Sequence, residues 1–173
     1  MAITYKKIAS VTVGAGGAAN IEFTSIPGTY TDLILHASTR SNRTDYASDN
    51  LRMTFNNDTT GYTTRRLEGS GSAATSDVNT STTSFLLGYT DGDTMTASTF
   101  ASQMIYVPNY AGATNKSVSA DGVTENNATF AMSSLAAGLW ANTSAITSIK
   151  LFPQVGTLFK QYSTATLYGI LKA

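Results

Sequence analysis

The chain has 173 residues, 11 basic and 11 acidic side chains that cancel, one histidine and no cysteine. So sparse and balanced a charge set argues against nucleic acid as the main partner, because phosphate binding needs a cationic surplus or a dense basic patch. Without cysteine there are no disulfides or thiolate metal sites, and no apolar run reaches the roughly 20 residues of a membrane span.

Length places residues 1–173 in a single domain with enough chain to bury a sizeable core. The hydrophobic share of 42% is ordinary, whereas the charged share of 13% is low, about half the usual value. Hydroxyls supply the polarity instead: 28 Thr and 19 Ser, more than a quarter of the chain. Thr is β-branched and suits a half-buried pleated surface, so the composition favours strands. A neutral hydroxyl surface also suits packing against other protein copies. The N-terminus lacks the apolar run of a signal peptide, so the chain is expected to be made and folded in a cytoplasm.

Residues 3–13 read as a first strand, with Ile8 breaking the alternation that Val11 and Val13 restore. Gly14-Ala15-Gly16-Gly17 reads as a turn, making a hairpin into 21–24 the expected connection. Its spacing fits neither phosphate-binding fingerprint, and no helix pattern follows it. The stretch 21–38 then reads as strand, corner and strand. Pro27 suits a strand end, Gly28 the bend, and Asp32 a hydrogen bond to its own backbone on leaving it. In the second of these strands Leu33, Leu35 and Ala37 face one way, Ile34, His36 and Ser38 the other. Apolar groups on both faces predict a central strand.

A polar loop is expected over 39–50, then a half-buried strand carrying Leu51, Met53 and Phe55, with 62–67 as its hairpin partner. The Ser/Ala/Thr/Gly-rich run 69–83 reads as a long surface loop. Residues 84–89 form a short buried strand closed by Thr90-Asp91-Gly92-Asp93-Thr94, which reads as a tight turn, since the other ligands of a calcium loop are missing. Further strands are predicted over 100–106, 116–123, 145–152 and 163–172. Segment 129–142 is ambiguous between helix and strand. It lacks a convincing cap and contains Ala136-Ala137-Gly138, so strand is preferred. Eight to ten short strands without a sustained helix or repeat predict an all-β protein, a two-sheet antiparallel β-sandwich of jelly-roll-like type.

No catalytic constellation emerges. His36 has no evident partner and reads as a structural sheet residue. The acids Glu22, Asp32, Glu68, Asp121 and Glu125 read as bend or solvent-facing positions, not as a glycosidase pair. The basic groups Lys6-Lys7, Arg40 with Arg43, and Arg65-Arg66 read as solvated strand ends and loops. Trp140, Tyr106 and Tyr110 could stack on sugar rings, but core or subunit contacts suit them better. No catalytic, cofactor-binding or metal-ligating residue is nominated.

The run Ile-Glu-Phe-Thr-Ser-Ile-Pro-Gly-Thr-Tyr-Thr-Asp-Leu (21–33) resembles a segment of virion structural proteins of tailed bacteriophages. Similar stretches are Ile-Tyr-Val-Pro-Asn-Tyr (105–110), Lys116-Ser117, Ala-Ile-Thr-Ser-Ile (145–149) and Ser-Thr-Ala-Thr-Leu-Tyr-Gly-Ile (163–170), so the likeness runs from Tyr5 to Lys172. The resemblance implies a jelly-roll-like domain without cofactor, assembled as a homo-oligomer, with a trimer preferred. It transfers no catalytic residue. Such domains occur on the head surface, and as terminal domains of tail fibres and other receptor-binding parts. No coiled-coil heptads or collagen-like repeat precede the first strand. The expectation is therefore a capsid decoration (cement) protein on the outer surface of the virion, bridging copies of the major capsid protein. The alternative is a tail component recognising host-surface glycan through loops 39–50 and 69–83.

Overall fold

The computed structural model describes residues 4–79 and 82–171, and within them all regular structure is β. The strands are β1 (Tyr5–Thr12), β2 (Ile21–Phe23), β3 (Asp32–Thr39), β4 (Ser48–Phe55), β5 (Tyr62–Gly69), β6 (Ala74–Asn79), β7 (Phe85–Asp91), β8 (Ala101–Val107), β9 (Lys116–Glu125), β10 (Ala131–Trp140), β11 (Ile149–Pro153) and β12 (Thr164–Ile170). They form a large sheet in the order β1-β12-β3-β8-β9-β10-β5-β6 and a small one in the order β2-β11-β4-β7. Every pairing is antiparallel. Ile3 and Lys172, the outer ends of two expected strands, lie outside the described residues.

The sheets form a jelly-roll-like sandwich, as the pairing shows. Four antiparallel pairs are nested in sequence: β2 with β11, β3 with β8, β4 with β7 and β5 with β6. That is one long hairpin rolled up so that alternate pairs fall in opposite sheets. The rolled pairs are joined within the sheets by β11 beside β4 and β10 beside β5. In the large sheet the meander β8-β9-β10 occupies the place of one strand, and β1 and β12 extend the edge beyond β3. Among the described residues the expected eight to ten strands become twelve.

Strand β3 is central, as its two-sided pattern predicts. It lies between β12 and β8, with Leu33, Leu35 and Ala37 buried and His36 exposed. Segment 129–142 is strand, carrying Trp140 into the core. Ile8 marks a bulge where the β1–β12 register shifts between Lys7 and Ala9.

Four local expectations are corrected. The Gly14–Gly17 turn does not make a hairpin: beyond it Ala18 bridges Phe159, ahead of β12, and the chain crosses to the small sheet. Likewise β5 is not the hairpin partner of β4. Asn56 and Asn57 take left-handed backbone (φ 52° and 54°), and the chain crosses the core, so Tyr62 comes to lie opposite Phe55. Its hydroxyl accepts from the Phe55 amide at 2.9 Å and donates to the Phe55 carbonyl at 3.2 Å. Finally, run 69–83 is not all loop, since Ala74–Asn79 form the exposed edge strand β6; its residues 80 and 81 lie outside the described residues. Strand β4 also begins at Ser48, inside the expected 39–50 loop.

One apolar core joins the sheets. Its centre is aromatic: Tyr62 stacks on Trp140 at 6.1 Å, and Phe55 meets Phe85 and Trp140 edge-on at 5.4 and 5.6 Å. Gly138 admits this packing, because a Cβ there would come within 2.7 Å of the Phe85 ring. Gly88 has φ +149° where the β4–β7 register shifts, a bulge geometry that a side chain would strain.

Burial pushes the Tyr62 phenol up to about 12. An unfolded tyrosine titrates near 10, so above about pH 10 the unfolded chain sheds a proton that the folded chain keeps. Stability is therefore expected to fall as pH rises from about 10 to about 12, by up to about 2 kcal/mol from Tyr62. Denaturant melts at stepped alkaline pH, wild type against Tyr62→Phe, check this: the variant should show a flatter decline.

Candidate interaction surfaces

The residues considered for chemistry are dispersed. His36 lies on the outer face of the large sheet, between Thr166 and Met104, its ring 5.9 Å from that of Tyr168. Trp140 and Tyr110 are buried in the core, and Tyr106 donates its hydroxyl to Asp32 at 2.9 Å. Among the described residues no group of three or more His, Asp or Glu is placed to hold a metal ion. Asp91 and Asp93, in the expected tight turn, go separate ways. Asp91 is buried and accepts the Thr124 hydroxyl, while Asp93 pairs with Lys160 at 2.5 Å.

Lys6, Lys7 and Arg65 are exposed as expected, but the reading of Arg40 and Arg66 as solvated, and of Glu68 as solvent-facing, is overturned. Arg40 is buried at the end of β3, where its guanidinium donates to the carbonyls of Asp93, Met95, Thr96 and Thr99 at 2.9–3.1 Å. Arg66 and Glu68 face inward from β5 and pair at 2.7 Å. Arg66 also reaches Asp77 on β6 at 3.1 Å and lies over the Tyr89 ring at 5.0 Å. Tyr89, its phenol pushed up to about 12 by burial, donates to Glu68 at 3.0 Å. With Arg66 between them, Glu68 and Asp77 have their charges satisfied, an arrangement suited to a strut joining β5, β6 and β7.

Arg66 and Tyr89 also border an open polar cleft of about 260 Å³, whose other wall is Arg43, Tyr46, Asp49 and Asn50 from the 39–50 segment. Arg43 is held by Asp45 at 2.7 Å and covers the Tyr46 ring at 5.2 Å. The cleft offers planar polar groups and aromatic rims.

The broadest surface is the outer face of the large sheet. Eight strands at about 4.8 Å spacing span roughly 35 Å, and among the described residues no other element covers them. Apolar side chains stand out of this face on β5, β6, β9 and β10. Leu67 and Leu135 are each 56% exposed, Val123 52% and Val78 51%. Leu67 is directly opposite Leu135 across the β5–β10 ladder. Their neighbours include small or hydroxyl-bearing residues, among them Ser76, Ser119, Ser133 and Ala137, and two charges, Asp121 directly opposite Leu135 and Arg65 directly opposite Val78. Sequence reading missed this face because Leu67 and Leu135 suggest a core. The signal lay in alternation, since Trp140 fixes the inner face of β10 and thereby puts Leu135 and Leu139 outside.

Comparison with protein-family models, with curated proteins and with solved structures finds no match.

Proposed function

We propose that the chain is a virion structural protein of a tailed bacteriophage, a decoration (cement) protein on the outer surface of the head. In this reading it works without catalysis, as a homo-oligomer, bridging copies of the major capsid protein, and is made in the host cytoplasm. The observation that carries the assembly role is the outer face of the large sheet. It is broad and studded with exposed Leu67, Val78, Val123 and Leu135, with Arg65 and Asp121 the charged residues among their direct cross-strand partners. Contiguous exposed apolar area marks protein contacts. The virion setting comes from the sequence resemblance. Leu67→Glu or Leu135→Glu should leave the fold intact and reduce the copies retained on capsids by about ten-fold, the expectation for a charge placed in a contact centre. Capsids lacking the protein should lose resistance to heat and osmotic shock. Unchanged resistance, with the protein located on the tail by imaging, would overturn the proposal.

The cleft of Arg43, Tyr46, Asn50, Arg66 and Tyr89 favours a second reading, a tail component binding host-surface glycan. It is built largely from the 39–50 segment. Binding on a glycan array that Tyr46→Ala abolishes would support this reading, and an array without a hit would remove it.

A further inference from the structure

We infer that β6 is a pairing edge for a second copy of this chain, joined strand to strand about a two-fold axis through Ser76. The two edges of the large sheet differ in the way that matters for such pairing. Strand β1 carries Lys6, Lys7 and the Ile8 bulge, devices that prevent edge-to-edge association. Strand β6 has no lysine and no bulge, and its one charge, Asp77, is paired with Arg66 of its own chain. It runs Ala-Thr-Ser-Asp-Val-Asn in unbroken register with β5, and among the described residues no strand is hydrogen-bonded to its far side.

Register selects the second copy as occupant. In a continuous antiparallel sheet, residues directly opposite share a face, so an axis through Ser76 sets Ser76 against its own copy. Thr75 then faces Asp77 of the other chain, and Ala74 faces Val78. The Thr75 hydroxyl can donate to the Asp77 carboxylate, and a small side chain meets a larger one. An axis through Asp77 would instead oppose two carboxylates.

A second observation fits the same register. On the outer face, beside Ala74, a shallow apolar depression of about 280 Å³ is bordered by Leu67, Gly69, Ala74, Ser133 and Leu135. Gly69, opposite Ala74 on β5, has nothing within 4 Å of where its Cβ would be. Val78 of the other chain, set against Ala74, points at this depression. The two-fold axis repeats the arrangement, so two Val78 side chains enter two depressions. The row Leu135–Leu67–Ser76 likewise continues into its own copy, joining both apolar patches in one sheet.

So short a ladder buries less than a standard interface, giving a weak dimer with a dissociation constant in the micromolar range or above. Crowding on a shell would strengthen it through effective concentration. An isologous contact of this kind closes a dimer, where the resemblance led us to expect a trimer. The inference does not rest on the virion reading, and its test uses the isolated protein.

The chain has no cysteine, so single-cysteine variants report contacts without background. Treated with a short bismaleimide, Ser76→Cys should give crosslinked dimer at least about ten-fold faster than Ser10→Cys at the β1 edge or Ser119→Cys in the face centre, because only opposed residues lie within a few ångströms. In sedimentation equilibrium, wild type should dimerise with rising concentration. Val78→Lys and Gly69→Phe, both at exposed or open positions, should weaken this at least about ten-fold without lowering Tm. Equal crosslinking at the three positions, or wild type monomeric at several hundred micromolar, would overturn the inference. Loss of dimer in Gly69→Phe, a position not named for the capsid contact, with capsid binding retained would leave the virion reading standing.

Discussion

Arg40→Ala is expected to destabilise the protein by about 3–5 kcal/mol, lowering Tm by roughly 10 °C or more. The buried guanidinium gathers the carbonyls of Asp93, Met95, Thr96 and Thr99, and so fixes the segment between β7 and β8. Alanine would leave those acceptors without their donor and a void beneath them. Arg40→Lys keeps the charge, but an ammonium cannot reproduce the planar fork that serves carbonyls on two sides. It should recover only part of the loss. Thermal melts of the three proteins by circular dichroism check this. A loss under about 1 kcal/mol for Arg40→Ala would show that the loop finds other donors.

Trp140→Ala should cost a similar amount, about 3–5 kcal/mol. The indole stacks on Tyr62, meets Phe55 edge-on and donates its N–H to Asp58 at 3.1 Å. Truncation removes the largest side chain of the core and leaves a cavity between two sheets that cannot close without breaking their ladders. Trp140→Phe should cost less, since it retains most of the packing and gives up the Asp58 bond. The Asp58 carboxyl is held below its usual range by the Thr60 hydroxyl first, and also by Asn142 and Trp140. Its contribution is present above the normal carboxylate range and lost as pH falls below it, so both Trp140 variants should narrow the gap between acid and neutral stability. Because Trp140 is the only tryptophan, unfolding must be followed by circular dichroism.

Period-two alternation made β3, β8 and β9 legible, because one buried face stamps itself on every second residue; β10 was preferred as a strand only for want of a helix cap and for its Ala-Ala-Gly run. What alternation could not tell was which strands are neighbours. The sandwich sends the chain across the core at 13–21 and 56–61, and a short Gly- or Asn-rich connection looks the same whether it closes a hairpin or crosses between sheets. Strand β5 shows a second limit. Hydropathy would turn Leu67 inward and Arg66 outward, yet the structure does the reverse, because the partners of Arg66 are residues remote in sequence, such as Asp77 and Tyr89. Buried polar groups are legible only once their partners are placed. Strand β6 was hidden for a related reason. It is exposed on both faces, so no hydrophobic pattern marks it, and only the ladder with β5 makes it a strand.

The place of β12 bears on how the chain can acquire this fold. Among the described residues β12 is the last strand in sequence, yet it lies between β1 and β3, two of the first. Those early strands stay apart, each with an open edge, until the final segment arrives to fill the gap. Contacts of such long sequence separation slow folding, and open edges invite association in the meantime. During synthesis the native sheet therefore cannot close until residues 164–170 have left the ribosome, and a fragment ending before Thr164 would present two unpaired edges where β12 otherwise makes a continuous ladder.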